Sequence, residues 1–455
     1  MKYSISAIAC LAVLQGCMVG PSTEPPAIPV AEDYLTQINP SAEQAMDAEW
    51  WEKFDDAEFS RVMNAVLEQN LDIDIALANV RVREADVAIA GSALLPSFDG
   101  FMQTQLNSVL TGGVDGDITA AAGGTLGYDV DIAGGNKRSV QAAMARLEAA
   151  RISVNDVRRL VTRQAALQYI ELRRAEARLE LLQSSLDLQT QTLEIVQSRY
   201  GAGLSPALDV DRVAADLART RAQKGVLEAT RKSADYALSV LAGRSPEDLV
   251  LKTERQEELP TYQGSLSAGV PADLLRRRPD IRSAEAQLVA ELASVGARKA
   301  DLYPSLRLPG TIQASGGSSN SVAEQVTLGL SAILDVPLFD AGARKARLDA
   351  QRAQADIALM NYRASVLEGL QEVETALVRI EALQQRLDEL NRAVEASESA
   401  YRQLEALYRE GLSSFLDVLD SQRQLIDSRE TVIDTQADLA AAIITLNASL
   451  GFGDI

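Results

Sequence analysis

The stretch YGAGLSPALDV at Tyr200–Val210 is followed 208 positions later by YREGLSSFLDV at Tyr408–Val418, with tyrosine, glycine, leucine, serine, aspartate and valine in matching places. Further matches occur at the same spacing, so the chain is predicted to contain two copies of one long unit. These further matches are Asn70–Ile73 with Arg278–Ile281, Leu95–Ser97 with Tyr303–Ser305, and Gly243 with Gly451.

Each of these two stretches lies between segments that are typical of long helices. No proline interrupts Arg138 to about Arg199 or Ala343 to about Leu407, and Ala, Leu, Arg, Gln and Glu dominate both. At 1.5 Å per residue, about sixty residues make a rod of roughly 90 Å. Returning helices are predicted over about 206–242 and 414–450. The last one carries a seven-residue apolar repeat at Val418, Leu425, Val432, Leu439 and Leu446, which predicts a coiled-coil seam packed against other helices.

The first part of each copy has a different pattern. Residues 60–94 and 274–302 are predicted to be helices of moderate length, and after each of them the apolar period changes to two. Segments 98–106 and 118–132 alternate in this way, as does the second copy over about 305–338. About ten alternating residues match the length of a tilted transmembrane strand. The polar stretches 108–117 and 316–324 are predicted to be hairpin loops.

Four strands per chain cannot close into a barrel. An open sheet edge in lipid leaves backbone groups unpaired at several kcal/mol each. Two chains would give eight strands, whose interior fills with side chains, whereas three would give twelve strands around a lumen. A trimer follows if the chain forms a pore, although the sequence alone does not count the chains.

The N-terminus resembles a secretory signal. Residues 1–16 combine a positive start with a short apolar run, and Leu14-Gln15-Gly16-Cys17 resembles the bacterial lipobox, in which the cysteine becomes the lipidated first residue. The alternative is an ordinary signal with a chance cysteine. We favour lipidation, because Cys17 falls at the cleavage position and the chain has only one other cysteine, Cys10. The residue after Cys17 is Met18 and not aspartate. In bacterial lipoproteins a residue other than aspartate at this position indicates sorting to the outer membrane.

These observations predict a complete domain organisation. It comprises a signal peptide 1–16, a lipidated extended segment 17–59, repeat 1 over 60–243 (strands about 97–132, long helices about 137–242), an equatorial linker 244–273, repeat 2 over 274–451 (strands about 305–338, long helices about 342–450) and a tail 452–455.

Composition excludes several functions. The chain has no histidine, which excludes a Ser-His-Asp triad and any histidine-centred proton transfer. A net charge of -20 and 4% aromatic residues argue against nucleic acid as the main partner. We therefore expect no catalytic residue, no metal site and no cofactor besides the covalent lipid on Cys17.

A column of carboxylates lies opposite the coiled-coil seam of the last helix. For most of its members a solvated face is the simplest interpretation. Asp417 and Asp420 stand apart, because they lie in the first turns after the bend at Gly411, where each would form a ring of three in a trimer and focus a negative field. The rest of the column comprises Asp427, Asp434 and Asp438.

With these motifs in place, the chain from about Trp50 to Gly451 resembles the outer-membrane factor family, most of all its TolC-like and OprM-like lipoprotein branch. The resemblance implies a homotrimeric twelve-stranded transmembrane β-barrel continuous with a long periplasmic α-helical barrel, a mixed and mainly α fold built from two tandem repeats. It also implies passive export through the bacterial outer membrane, coupled by a periplasmic adaptor to an inner-membrane pump. The motifs are Arg277–Ile281, Tyr303–Ser305, Leu338–Gly342 and Leu416–Arg423.

The resemblance also implies roles for individual residues at the periplasmic end. Tyr408 corresponds to a tyrosine linked to an aspartate of the neighbouring hairpin, here Asp209. Ser413 stands where TolC-like members carry an arginine, so the lock would be weaker or use Arg212 or Arg423. The implied gate residues are Asp209, Tyr408, Leu416, Asp417, Asp420 and Arg423, and the expected adaptor contacts are Gly203, Leu204, Ser205, Gly411, Leu412 and Ser413.

A second hypothesis is a non-channel periplasmic coiled-coil structural lipoprotein, whose strands would form soluble hairpins. Under the channel hypothesis the substrate stays open among drugs, metals, lipids and proteins, because the pump sets it.

Overall fold

A computed structural model describes residues 18–36, 49–109, 115–248, 259–264, 266, 271–317 and 325–451. The predicted signal peptide, Cys17 and the tail 452–455 lie outside these residues. The chain divides into two compact units: the described residues of Met1–Ile28, Leu77–Ser153 and Asp280–Ser365 form one, and those of Pro29–Ala76, Val154–Pro279 and Val366–Ile455 form the other.

The described chain is mainly helical. No helix in these ranges has a stretch both long and apolar enough to cross a bilayer. A short 3₁₀ turn at Trp50–Lys53 precedes the helices α1 (Ala57–Gln69), α2 (Leu71–Ser92), α3 (Gly135–Gly201), α4 (Ala207–Leu241), α5 (Pro271–Arg277), α6 (Pro279–Ala300), α7 (Ala343–Arg409) and α8 (Phe415–Leu450).

The long helices agree closely with the predicted bounds. Helices α3 and α4 form a first hairpin, and α7 and α8 form a second. The starts of α7 and α8 at positions 343 and 415 lie 208 residues after those of α3 and α4, at 135 and 207. Helix α6, which starts at 279, has the same offset from α2, which starts at 71.

The two moderate helices were each predicted to be continuous, and this was wrong. The first divides at Asn70, whose side-chain oxygen accepts hydrogen bonds from the backbone N–H groups of Asp72 (2.9 Å) and Ile73 (3.2 Å). Asn70 therefore caps the start of α2. The second divides at Arg278, because Pro279 has no N–H to continue a preceding helix and is favoured at a first helical position.

The strands form two antiparallel sheets. In the larger sheet the strand order is β1-β2-β5-β6, and in the smaller one it is β3-β4-β7. The strands are β1 (Ser97–Val109), β2 (Asp115–Gly127), β3 (Asp129–Val130), β4 (Ser305–Arg307), β5 (Gly310–Gly317), β6 (Gln325–Leu330) and β7 (Ile333–Asp335).

The sequence did not predict the division into two sheets. Segment 118–132 breaks at Tyr128, which exchanges backbone hydrogen bonds with Leu308 at 2.8 and 3.3 Å. Pro309 follows Leu308, and a proline inside a strand removes a ladder donor. The predicted loops were also too long, since β1 continues to residue 109, β2 starts at 115 and β5 ends at 317. What remains of them lies outside the described residues.

The larger sheet has two chemically distinct faces. Register places Phe98 opposite Leu126 and Met102 opposite Ala122, with Phe98 68% and Met102 83% exposed. On β6, Leu328 is 81% exposed and lies on the same apolar face. The opposite face, defined by the intervening residues, is mainly polar, although it also carries Phe101 and Ala121. Its polar residues are Asp99, Gln103, Gln105, Thr119, Thr125, Thr311, Gln313, Ser315, Gln325 and Thr327.

A buried ionic cluster joins the start of α1 to α3 in the second unit. The side chain of Arg173, 1% exposed, donates to Glu58 and Glu176 at 2.7 Å each. Tyr169 donates to Asp56 and receives hydrogen bonds from Arg173. Phe59 stacks on the Tyr169 ring at 4.7 Å. The N-terminal segment is therefore fixed to a long helix by charge and aromatic packing together.

Candidate functional site

The two helical hairpins turn through the same backbone geometry. The N–H groups of Gly203 and Leu204 bond to the carbonyls of Tyr200 (2.9 Å) and Arg199 (2.8 Å), which is a Schellman motif. In the second hairpin, Gly411 and Leu412 repeat this pattern on Tyr408 and Leu407. Glycine is required at both turns because φ is +71° at Gly203 and +79° at Gly411.

The two leucines that follow these glycines project into solvent. Leu204 is 67% exposed and Leu412 is 75% exposed. In a Schellman motif the residue at this position commonly packs back on its own helix, so two exposed leucines leave apolar surface uncovered at the turns.

Tyr408 is buried at the centre of the second turn. Its ring lies 5.8 Å from Phe415 and under the guanidinium of Arg199, 4.7 Å from the ring centroid. Arg199 also donates to the Tyr408 carbonyl at 3.1 Å. These contacts connect the ends of α3 and α7, so Tyr408 belongs to the core that holds the two hairpins together.

Ser205 lies between the two residues of the expected latch. Its hydroxyl donates to Asp209 at 3.1 Å and lies 3.5 Å from the hydroxyl of Tyr408. Asp209 also approaches Arg212 at 3.7 Å along its own helix. The structure thus brings Asp209 and Tyr408 together through a serine that we had assigned to adaptor contact.

Asp417 closes a capping box at the start of α8. Its carboxylate accepts from the Ser414 hydroxyl (2.7 Å) and the Ser414 backbone N–H (3.2 Å), while its own N–H donates back to Ser414 at 3.3 Å. The Ser414 hydroxyl, followed by its N–H and the more distant Ser413 hydroxyl, holds the pKa of Asp417 below its usual range. Asp417 is exposed, but one of its carboxylate oxygens, Oδ2, already accepts from Ser414 and Ser413.

Leu416 and Asp420 lie on the exposed side of α8. Leu416 is 46% exposed, and the side chain of Asp420 is 67% exposed. The nearest cation described for Asp420 is Arg423, whose Nη1 lies 4.0 Å away. Asp420 is therefore the freer of the two predicted ring carboxylates.

Arg423 connects the two hairpins. Its Nε and Nη2 donate to one carboxylate oxygen of Asp216 on α4, at 3.1 and 2.7 Å. The Asp216 side chain is only 7% exposed, and its other oxygen accepts from Gln189 at 3.3 Å. In the sequence, Asp216 recurs at helical spacing with Asp209 and Arg212, a pattern typical of a solvated face. Its helical spacing carries no sign of this burial, which depends on Gln189 and on Arg423, 207 residues further along the chain.

The two carboxylates of the acidic column that lie nearest the end of α8 are also paired with arginines. Asp438 accepts from Arg174 at 2.7 Å, and Asp434 accepts from Arg178 Nε at 2.9 Å. These contacts join α8 to α3. The exposed carboxylates of α8 therefore lie nearer its start and include Asp420 and Asp427.

The sequence profile described as Outer membrane efflux protein matches residues 62–244 and again 270–452. Nodulation protein T of Rhizobium leguminosarum bv. viciae is 30% identical over 385 residues, which cover 83% of this chain and 78% of that protein. Solvent efflux pump outer membrane protein SrpC of Pseudomonas putida is 30% identical over 397 residues, 83% of each chain. The solved outer-membrane channel OprN superposes with a TM-score of 0.87 at 28% identity, covering 96% of this chain and 99% of that one. This chain belongs to the outer membrane efflux protein family.

Proposed function

We propose that the chain is the outer-membrane channel of a tripartite efflux system, a passive trimeric conduit that opens at its periplasmic end. Family membership supports this function and the outer-membrane location. The observation that carries the trimeric barrel is the larger sheet, in which an apolar face is exposed opposite a polar one and β1 and β6 are the outermost strands.

The two outer strands need partners if the sheet lies in lipid. Every backbone N–H and C=O in a bilayer must be paired, so an isolated four-stranded sheet would not be stable there. Joining β6 of one copy to β1 of the next satisfies these groups and directs the polar face inward. Three copies of a four-stranded sheet give a twelve-stranded barrel with a water-filled interior.

The second candidate, a structural lipoprotein without a pore, fits the same sheet less well. A soluble hairpin would leave Met102 and Leu328, each more than 80% exposed, in contact with water. Burying such apolar side chains is worth about 1.5–3 kcal/mol each. In a barrel, lipid covers them.

The two-repeat organisation extends this proposal. Repeat 1 over 60–243 and repeat 2 over 274–451 are supported by the common offset of the helix starts and by the two matched family segments, which begin at 62 and 270. Residues 244–273 then connect the repeats.

We also propose that Cys17 carries lipid and that no other cofactor is needed. The residues just after it are fixed to the first unit, which supports an anchor at this point. Val19 donates to the Ala133 carbonyl at 3.2 Å, and Arg138 donates to the Val19 carbonyl at 3.1 Å. Several acyl chains, at about 0.8 kcal/mol per methylene, would hold such a segment stably on a leaflet.

Partners are assigned by surface chemistry. The exposed Leu204 and Leu412, with the neighbouring Gly203, Ser205, Gly411 and Ser413, offer an apolar contact for a periplasmic adaptor, which would connect the channel to an inner-membrane pump. The gate would comprise Asp209, Tyr408, Leu416, Asp417, Asp420 and Arg423. Asp216 and Arg199 are added to this set on the contacts described above.

Reconstitution tests the proposal. The mature protein, extracted in detergent, should give cross-linked trimers and discrete conductance steps in a planar bilayer. A water-soluble monomer that keeps its β content without detergent and shows no conductance would contradict the channel and favour the structural lipoprotein.

A further inference from the structure

Arg423 lies between two carboxylates that belong to different parts of the proposed gate. The first is Asp216 on the neighbouring hairpin, at 2.7 Å. The second is Asp420, one turn earlier on its own helix α8, at 4.0 Å. Both lie within reach of the same flexible side chain.

The two acceptors differ in how firmly they are held. Asp216 is 7% exposed and is also contacted by Gln189 at 3.3 Å and by Arg219 at 3.5 Å. It therefore cannot follow Arg423 unless α4 itself moves. Asp420 is 67% exposed and moves with Arg423, because both are part of α8.

We propose that Arg423 exchanges Asp216 for Asp420 when the gate opens. In the resting state the guanidinium connects α8 to α4 through Asp216. When the two hairpins separate, the same guanidinium pairs with Asp420, a favourable i,i+3 contact on one helix. This inference rests on the proposed channel, since it describes how that channel opens.

The exchange requires no proton transfer. Arginine stays protonated in proteins, so only its ion-pair partner changes. Losing one ion pair while gaining another lowers the net cost of separating the hairpins. A contact with an adaptor could then supply the remaining free energy of opening.

The exchange also couples opening to charge. In the resting state Arg423 donates to Asp216 and lies 4.0 Å from Asp420, so the three Asp420 carboxylates of a trimer are only partly compensated and form a negative ring. In the open state each would be neutralised by its own Arg423. Rings of charged side chains set ion selectivity in pores, so the cation preference of the open channel reports where Arg423 lies.

Two variants separate the steps of this exchange. Asp216→Asn removes the resting partner but leaves Arg423 free to neutralise Asp420. Arg423→Gln removes the connection as well, but leaves the Asp420 ring fully charged. The matched control for Asp216→Asn is Asp211→Asn, which removes the same charge from an exposed carboxylate of α4.

The experiment measures open probability and the reversal potential in a salt gradient for trimers in planar bilayers. Loss of a partly exposed pair worth about 1 kcal/mol should raise the opening equilibrium about fivefold per protomer in Asp216→Asn. Arg423→Gln loses the open-state pair with Asp420 as well as the resting pair, so its opening equilibrium should rise less. The open Arg423→Gln channel should have a cation-to-anion permeability ratio at least about twofold above that of Asp216→Asn.

Each outcome has a distinct meaning. If wild-type trimers do not conduct, the proposed function itself fails. If the wild type conducts but Asp216→Asn opens no more than Asp211→Asn, the connection through Asp216 is refuted. If the open channels of Asp216→Asn and Arg423→Gln have equal cation selectivity, the transfer to Asp420 is refuted. If Asp216→Asn does not assemble, Arg423→Gln is compared with the wild type instead, because Arg423 is half-exposed and its replacement should be tolerated. No rise in its cation selectivity above that of the wild type would refute the transfer.

Discussion

The guanidinium of Arg199 lies over the ring of Tyr408, 4.7 Å from its centroid, and donates to the carbonyl of the same residue at 3.1 Å. One side chain at the end of α3 thus holds both the ring and the backbone at the end of α7. The Tyr408 hydroxyl contributes less, because its contact with Ser205 is 3.5 Å long.

Replacement of Arg199 should therefore affect the gate more than removal of the Tyr408 hydroxyl. Arg199→Ala loses a cation–π contact worth about 0.5–1 kcal/mol together with its bonds to backbone carbonyls. We expect a several-fold rise in open probability for Arg199→Ala, about fivefold per kcal/mol lost, and less than about twofold for Tyr408→Phe in bilayer recordings.

The control for Arg199→Ala is Arg392→Ala. Arg392 forms an i,i+3 pair with Glu389 in which both side chains are more than 70% exposed, so its loss should leave gating unchanged. A larger effect of Tyr408→Phe than of Arg199→Ala would show that the hydroxyl is the main lock.

Divalent cations should distinguish the two ring carboxylates. Asp417 is engaged with Ser414, whereas Asp420 is exposed and, in the part of the chain that the structure describes, has Arg423 as its one nearby cation. Asp420→Asn should weaken block by divalent cations more than Asp417→Asn, as measured by titrating the cation against single-channel current. Equal block in wild type and Asp420→Asn would place the ring elsewhere.

Asp235 predicts a specific dependence of stability on pH. Its side chain is buried and its Oδ1 has no hydrogen-bond partner among the described residues. Burial raises its pKa above the ordinary value of 3.8; Arg231 opposes this effect, and Glu176 and Glu58 add to it. A carboxyl with a raised folded pKa destabilises the fold above that pKa, and this penalty disappears as the pH falls to 3.8.

The neutral variant Asp235→Asn should therefore have a higher apparent Tm than the wild type at pH 7, and the difference should shrink towards pH 4. Thermal melts in detergent across this range test the sign, with the exposed Asp211→Asn as the control. A difference that grows on acidification would contradict the burial argument.

The cluster around Arg173 should be essential for stability. Removal of its guanidinium leaves Glu58 and Glu176 buried without their main cation. Loss of one partner of a buried ion pair typically costs about 3–5 kcal/mol. Arg173→Met should lower the free energy of unfolding, measured in denaturant, by about 3–5 kcal/mol. A decrease below about 1 kcal/mol would mean that water replaces the guanidinium.

Much of the helical structure could be predicted because its signals are local. Glycines 203 and 411 end the first helix of each hairpin, and the absence of proline in α3 and α7 allows them to continue for 67 residues each. The seam on α8 is confirmed at Val418, Leu425 and Leu446, which are buried.

What the sequence did not predict depends on distant contacts. Asp216 resembles a solvated residue until Arg423 and Gln189 are placed beside it. The break at Tyr128 is likewise set by its pairing with Leu308, 180 positions further along the chain. The capping role of Asn70, by contrast, has a local signal that could have been used.

The most direct test of the barrel is the accessibility of cysteines placed along β1. Both native cysteines lie in the first 17 residues, so added cysteines can be labelled selectively. In outer-membrane vesicles, a membrane-impermeant maleimide should react with Gln103→Cys and Asp99→Cys, which would face a water-filled lumen. It should not react with Met102→Cys or Phe98→Cys, which would face lipid. Equal labelling at all four positions would contradict a barrel formed by several copies in the membrane.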